Sequence, residues 1–372
     1  MQQMESLVEY GSRRVIITIT AIFCALLEIV DTTIVNVAIK DMSGSLGATI
    51  SEVGWVITAY AIGNVIIVPM TSWLSQQFGR RNYFAASIVV FTICSFLCGQ
   101  ATGIWELVAF RFLQGLGGGA LLVTSQTIIT ESYPVEKRSM AQAIYGLGVI
   151  VGPTLGPPLG GYIVDHMSWP YIFYINIPIG VIACLLTLQF VRSPKYGEKS
   201  RGSDIDWLGI IFLAATVGSL QYVLEKGQDD DWFNSSTIVL LSIVAFFGLY
   251  FFIWRETVFR RPIVELRVLK NSNLRVGTIL SFIMGFGLYG STFIIPLYTQ
   301  TILGWTAQDA GMLLVPAALT TAVMMPIIAK ILQRGIPQQY LVATGMVMFS
   351  IFMFWGYFII TPDTSADDFF WQ

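Results

Sequence analysis

Two carboxylates, Glu28 and Asp31, lie inside the apolar stretch AIFCALLEIVDTTIVNVAIK, residues 21–40. A charged side chain in membrane hydrocarbon costs roughly 2.5–3.5 kcal/mol or more, so each acid calls for a partner or a water-filled cavity. Their spacing of three puts both on nearly one helix face. A single cation, Arg111, stands inside another apolar stretch, with the amide of Gln114 one turn on. Two acids this close do not both ionise freely. Beside one cation they can hold a proton and release it as access to water alternates. Such groups commonly mark a substrate or proton path. The competing reading is a static ion pair that only fixes packing.

Depth arithmetic allows the cluster to form. At 1.5 Å per residue, Glu28 lies about 20 Å from the inner start of its stretch, and Arg111 about 10 Å from the outer start of its own. In a hydrocarbon core of about 30 Å these depths coincide.

The elements that must carry these groups are membrane helices. Of 372 residues, 55% are hydrophobic and 12% charged, against about 25% charged in a soluble chain. Continuous apolar runs predict eleven spans, at 15–38, 53–73, 83–99, 104–130, 138–162, 169–190, 206–225, 237–254, 274–300, 309–330 and 338–360. The fold class is therefore an all-α polytopic membrane protein. A β-barrel would show short alternating segments instead. With the N-terminus cytoplasmic, the inner segments hold 18 of the 21 Lys and Arg, from Arg13 and Arg14 to Lys330 and Arg334. The outer segments hold Lys40 and Lys226, and Arg111 is within a span. That asymmetry matches the positive-inside rule.

Composition also excludes functions. The net charge is -2 with no soluble basic face, which argues against nucleic-acid binding. The four cysteines, Cys24, Cys94, Cys98 and Cys184, all lie in apolar runs, so neither a disulfide framework nor a metal site is expected. The spans hold no constellation of His, Ser or metal ligands, so no enzyme and no cofactor is expected.

Three parts are predicted. Residues 1–190 form an N-terminal six-helix bundle. Residues 191–273 hold a linker and two inserted transmembrane helices, the linker being VRSPKYGEKSRGSDI at 191–205. Residues 274–372 form an incomplete C-terminal bundle, with three spans before a polar and aromatic ending.

Three further stretches draw notice. In GVIVGPTLGPPLGG, Gly148, Gly152, Gly156 and Gly160 fall four apart, a stripe that lets another helix backbone come close. Pro153, Pro157 and Pro158 each remove a backbone donor and predict kinks. The stripe is either simple packing or a bent seal between bundles. In SWLSQQFGRRNYF, a turn at Gly79 precedes Arg80 and Arg81. These are either membrane anchors or a latch between helix ends, although the loop has no acidic partner of its own. Asn36, Asn64 and Gln126 join Gln114 as candidates to line a polar cavity. His166 is assigned to an outer loop, and Glu106 and Glu131 to the ends of the fourth span.

DTTIVNVAI in the first span, RFLQGLGGGA in the fourth and GVIVGPTLGPPLGG in the fifth resemble three signatures of the major facilitator drug:proton antiporters. With the inserted pair, the chain is similar to the fourteen-span, EmrB-type multidrug efflux subunits over essentially its whole length. The resemblance implies a major facilitator fold with about 11 of 14 expected helices present. It implies Asp31 as the first-span acid, Arg111 as the coupling arginine, and Gly148, Gly152, Pro153, Gly156 and Pro157 as the antiporter motif. It implies proton-coupled export of lipophilic or cationic small molecules across a bacterial inner membrane by alternating access. A periplasmic membrane-fusion adaptor and an outer-membrane channel are the implied partners. Gln76 stands where the family usually has an acid. The alternatives are a solute facilitator or symporter of the same fold, against which the glycine-proline motif argues, and a non-transporting fragment.

Overall fold

The computed structural model describes residues 7–194, 206–260, 262–301, 303–304 and 314–359. Every regular element among them is helical. The long helices are α1 (Gly11–Ile34), α2 (Ile50–Phe78), α3 (Arg80–Gln100), α4 (Ile104–Ser132), α5 (Arg138–His166), α6 (Asn176–Phe190), α7 (Trp207–Lys226), α8 (Ser236–Val258), α9 (Ser272–Thr301), α10 (Leu314–Gln333) and α11 (Gln338–Ile359). Each predicted span falls on one of them. The start of the tenth span, linker residues 195–205 and the chain end from 360 lie outside the described residues. Among the described residues, eight helices are long and apolar enough to cross a membrane. The chain forms two compact units, one of residues 1–138 and 155–267, the other of 139–154 and 268–372.

Local chemistry sets several helix ends in the first unit. A capping box starts α2: Glu52 N–H donates to Thr49 Oγ1 at 3.3 Å, and Thr49 N–H donates to Glu52 Oε2 at 2.8 Å. Two orphan donors are thereby satisfied together. Between α2 and α3 the chain turns on Gly79 alone, at φ 80° and ψ 133°, which only glycine adopts without strain. His166 is the last residue of α5 rather than a loop residue. The helix runs past the end of its apolar stretch, and the exposed imidazole stacks on Tyr162 with centroids 4.4 Å apart.

The glycines of RFLQGLGGGA bring three backbones together. A Cβ on Gly115 would overlap the Tyr60 carbonyl of α2, and one on Gly119 would come within 2.6 Å of the Asn64 carbonyl. On the other side of α4, a Cβ on Gly117 would lie 2.8 Å from the Phe91 nitrogen of α3. Helices pack this closely in hydrocarbon only where small residues remove the side-chain layer. Gly156 and Gly160 of α5 do the same against Thr33 and Ile34 of α1. Gly148, Gly152, Pro153 and Pro157 lie in the same helix, which runs on from Arg138 to His166.

The inserted pair belongs to the first unit. Asp206 caps α7 by accepting from Gly209 N–H at 3.0 Å, and also takes Arg255 Nε of α8 at 2.9 Å. At the other end, Thr58 Oγ1 of α2 donates to Glu225 Oε1 of α7 at 2.6 Å, and the Trp55 and Tyr222 rings lie 5.2 Å apart. Thr58→Val is expected to lower stability by about 1–2 kcal/mol, since the bond goes to a charged group. The thermal midpoint of the detergent-solubilised protein measures it; an unchanged midpoint would show that this bond does not hold α7.

Candidate functional site

Four helices of the first unit meet at the Asp31–Arg111 pair. Arg111 Nη1 of α4 donates to Asp31 Oδ2 at 2.5 Å. Asp31 Oδ1 accepts from Gln114 Nε2 at 3.1 Å and from Asn176 Nδ2 of α6 at 2.8 Å. Arg111 also donates through Nη1 to Gln114 Oε1 at 2.8 Å and through Nε to the Val56 carbonyl of α2 at 3.3 Å. Its guanidinium carbon lies 4.1 Å from the centre of the Tyr60 ring. Arg111, Asp31, Gln114 and Asn176 are all buried. A buried ion pair survives desolvation only when its remaining donors and acceptors are also used; here both oxygens of Asp31 and the Nε and Nη1 of Arg111 are engaged.

One turn away on α1, Glu28 forms a second site. Its Oε1 accepts from Asn64 Nδ2 of α2 at 2.7 Å, and its Oε2 accepts from the Leu122 N–H of α4 at 2.9 Å. The two carboxylates thus share a helix face but not their partners.

Sequence reasoning brings Asp31, Glu28, Arg111 and Gln114 together, and the structure does so as well; Asn64, expected only as a cavity candidate, joins them through Glu28. Two candidates fall elsewhere. Asn36 is exposed in a short turn after α1, its amide 3.5 Å from the Thr32 carbonyl. Gln126 is exposed rather than buried, and Asn64 is only half-buried. Gln126 follows Gln114 by twelve residues, which turns it about 120° around α4. Asn176, Ser95 and Tyr60 were missed. A lone Asn in an apolar helix is a visible signal, and Asn176 is the one in α6; the other two carry no signal of their own.

At one end of the unit, Arg80 pairs with Glu131, from the end of α4. Arg81 N–H donates to Ser193 Oγ at 3.0 Å. Glu131 supplies across helices the carboxylate that the loop, with Gln76, does not. Gln76, Arg80 and Glu131 line one cavity of about 530 Å³. Glu9 pairs there with Arg13 and Arg192 at 3.2 and 3.3 Å, so residues assigned to one side of the membrane do share one end. Gly79→Ala is expected to cost roughly 1–2 kcal/mol by forcing a side chain into positive φ. Thermal unfolding reads this directly, and wild-type stability would show that the turn relaxes without strain.

A helical bundle with a buried acid–base cluster is the architecture of a membrane transporter. The family description "Major Facilitator Superfamily" matches residues 21–370, and the chain belongs to that superfamily. It is 35% identical over 362 residues to the multidrug export protein EmrB of Escherichia coli strain K12, covering 97% of this chain and 70% of that protein. It is 35% identical over 340 residues to the fatty acid resistance protein FarB of Neisseria gonorrhoeae, covering 91% of this chain and 66% of that protein. Among solved structures, the proton:xylose symporter XylE bound to 6-bromo-6-deoxy-D-glucose matches with a TM-score of 0.58 and 15% identity, covering 86% of this chain and 69% of that one. That likeness concerns the fold alone.

Proposed function

We propose that the protein is a proton-coupled multidrug efflux antiporter that exports lipophilic or cationic small molecules across a bacterial inner membrane by alternating access. The observation that carries this reading is the Arg111–Asp31 pair, wholly buried in a multi-pass bundle, with a second buried acid, Glu28, one turn away on the same helix. Identity to a multidrug export protein along 97% of the chain supports the substrate class. In this reading residues 1–190 carry the proton site, residues 191–273 add the linker and inserted pair, and residues 274–372 begin the second bundle. The N-terminus is cytoplasmic, as the basic loops favour. Gly148, Gly152, Pro153, Gly156 and Pro157 form the seal. Gly79, Arg80 and Arg81 with Glu131 form the latch. The resemblance to EmrB-type subunits supports a periplasmic adaptor and an outer-membrane channel as partners.

The direction of ethidium flux in reconstituted vesicles under an imposed proton gradient tests the reading. Ethidium is expected to move against the inward flow of protons. Movement with the protons, or none that responds to the gradient, would refute antiport.

A further inference from the structure

We propose that Glu28, not Asp31, is the carboxylate that takes up and returns the proton, and that Asp31 serves as the fixed counter-ion of Arg111. The inference rests on the proton-coupled reading above and assigns its moving part.

The argument is one of donors and acceptors. A carboxylate can take a proton only if one oxygen can become a donor facing an acceptor. Asp31 cannot do so without breaking its surroundings. Its Oδ2 faces the guanidinium of Arg111, which has no acceptor. Its Oδ1 faces two amide NH2 groups, and both amides are locked. Gln114 must keep its oxygen toward Arg111, from which it accepts at 2.8 Å. Asn176 must keep its nitrogen toward Ser95 Oγ at 3.0 Å, because the Ser95 hydroxyl donates onward to the Phe173 carbonyl at 2.9 Å. A proton on Asp31 would set donor against donor and leave Arg111 a buried, unpaired cation.

Glu28 meets no such lock. Oε2 can go on accepting from the Leu122 N–H in either state. Oε1 faces the side-chain amide of Asn64. If that amide turns over, its oxygen accepts from a protonated Oε1 and the bond count is unchanged. The neighbouring Tyr60 hydroxyl is buried with no hydrogen-bond partner among the described residues, so it can donate or accept as required. Access differs too. Asp31 is 0% exposed and Glu28 7%, and both partners of Glu28 are half-buried. Glu28 is therefore the less enclosed of the two acids, and in this proposal the proton reaches and leaves Oε1 on that side. Among the described residues, the titratable groups within electrostatic reach of Glu28 are Asp31 on its own helix and Tyr60 on α2. Arg111 of α4 is committed to Asp31.

Infrared difference spectroscopy of the full chain in lipid, stepped from alkaline to mildly acidic pH, tests this without a substrate. The expected result is a carboxylic-acid carbonyl band that vanishes in Glu28→Gln, persists at a shifted frequency in Glu28→Asp, and persists in Asp31→Asn. A band that survives Glu28→Gln, or a wild-type chain with no such band, overturns the proposal. The Glu28 variants decide the matter even if Asp31→Asn does not fold. Ethidium transport on the same vesicles separates the two ideas. Gradient-driven transport with a band that survives Glu28→Gln sinks the assignment alone. A Glu28-dependent band without gradient-driven transport sinks antiport.

Discussion

Arg111→Ala is expected to abolish gradient-driven efflux and to lower stability by about 3–5 kcal/mol. The guanidinium is the one cation against Asp31 among the described residues, and Asp31 has no exposed surface. Removing it leaves a buried carboxylate with two amides, which solvate a charge but do not neutralise it. The cost is therefore that of stranding the acid, larger than the net worth of the pair. A second substitution in the same chain separates these quantities. Arg111→Ala with Asp31→Asn should be more stable than Arg111→Ala alone, because no charge is then left behind. Efflux should stay abolished in both. Thermal unfolding of the two variants against the Asp31→Asn chain completes the cycle. If the double variant is no more stable than Arg111→Ala, the electrostatic account of this cluster is wrong.

Gly115→Val is expected to prevent correct folding of the first unit, at a cost of about 3 kcal/mol or more. Overpacking a core commonly forces side chains off their rotamers, and those can yield. Here the obstruction is the Tyr60 carbonyl, part of the α2 backbone. α2 can give way only by moving off α4, which also draws the Val56 carbonyl and the Tyr60 ring away from Arg111. Gly115→Ala should show the same effect in smaller measure. The yield of monodisperse protein in detergent and its thermal midpoint report on both. Wild-type values for Gly115→Val would mean that the close approach is dispensable.

Much of this was legible in the sequence because hydrocarbon simplifies the code. A membrane helix must satisfy its own backbone, so each predicted apolar run falls on a helix among the described residues, eight of them long and apolar enough to cross a membrane. A charge in such a run must find a partner at its own depth, which brought Arg111 to the first-span acids. The remainder depended on helix order, which spacing does not contain. Asn176 is 145 residues from Asp31. Glu131 resembles any snorkelling end residue until α4 is set beside Arg80. The run Gly115–Gly119 could be read as packing, but not as packing against α2 on one side and α3 on the other. The side on which Gln126 lies was also not legible: exposure of an amide depends on the helix face it occupies, and a largely apolar sequence round α4 does not mark one.

Asp206 ties both inserted helices together at one end, and Glu225 ties the first of them to α2 at the other. A hairpin closed on itself at one end and fastened to α2 at the other moves with that helix. Whenever α2 tilts, α7 and α8 sweep the surrounding lipid with it. The added pair therefore enlarges the body that must be displaced during each turnover, and bilayer viscosity and thickness should weigh more heavily on the rate than in a transporter without it.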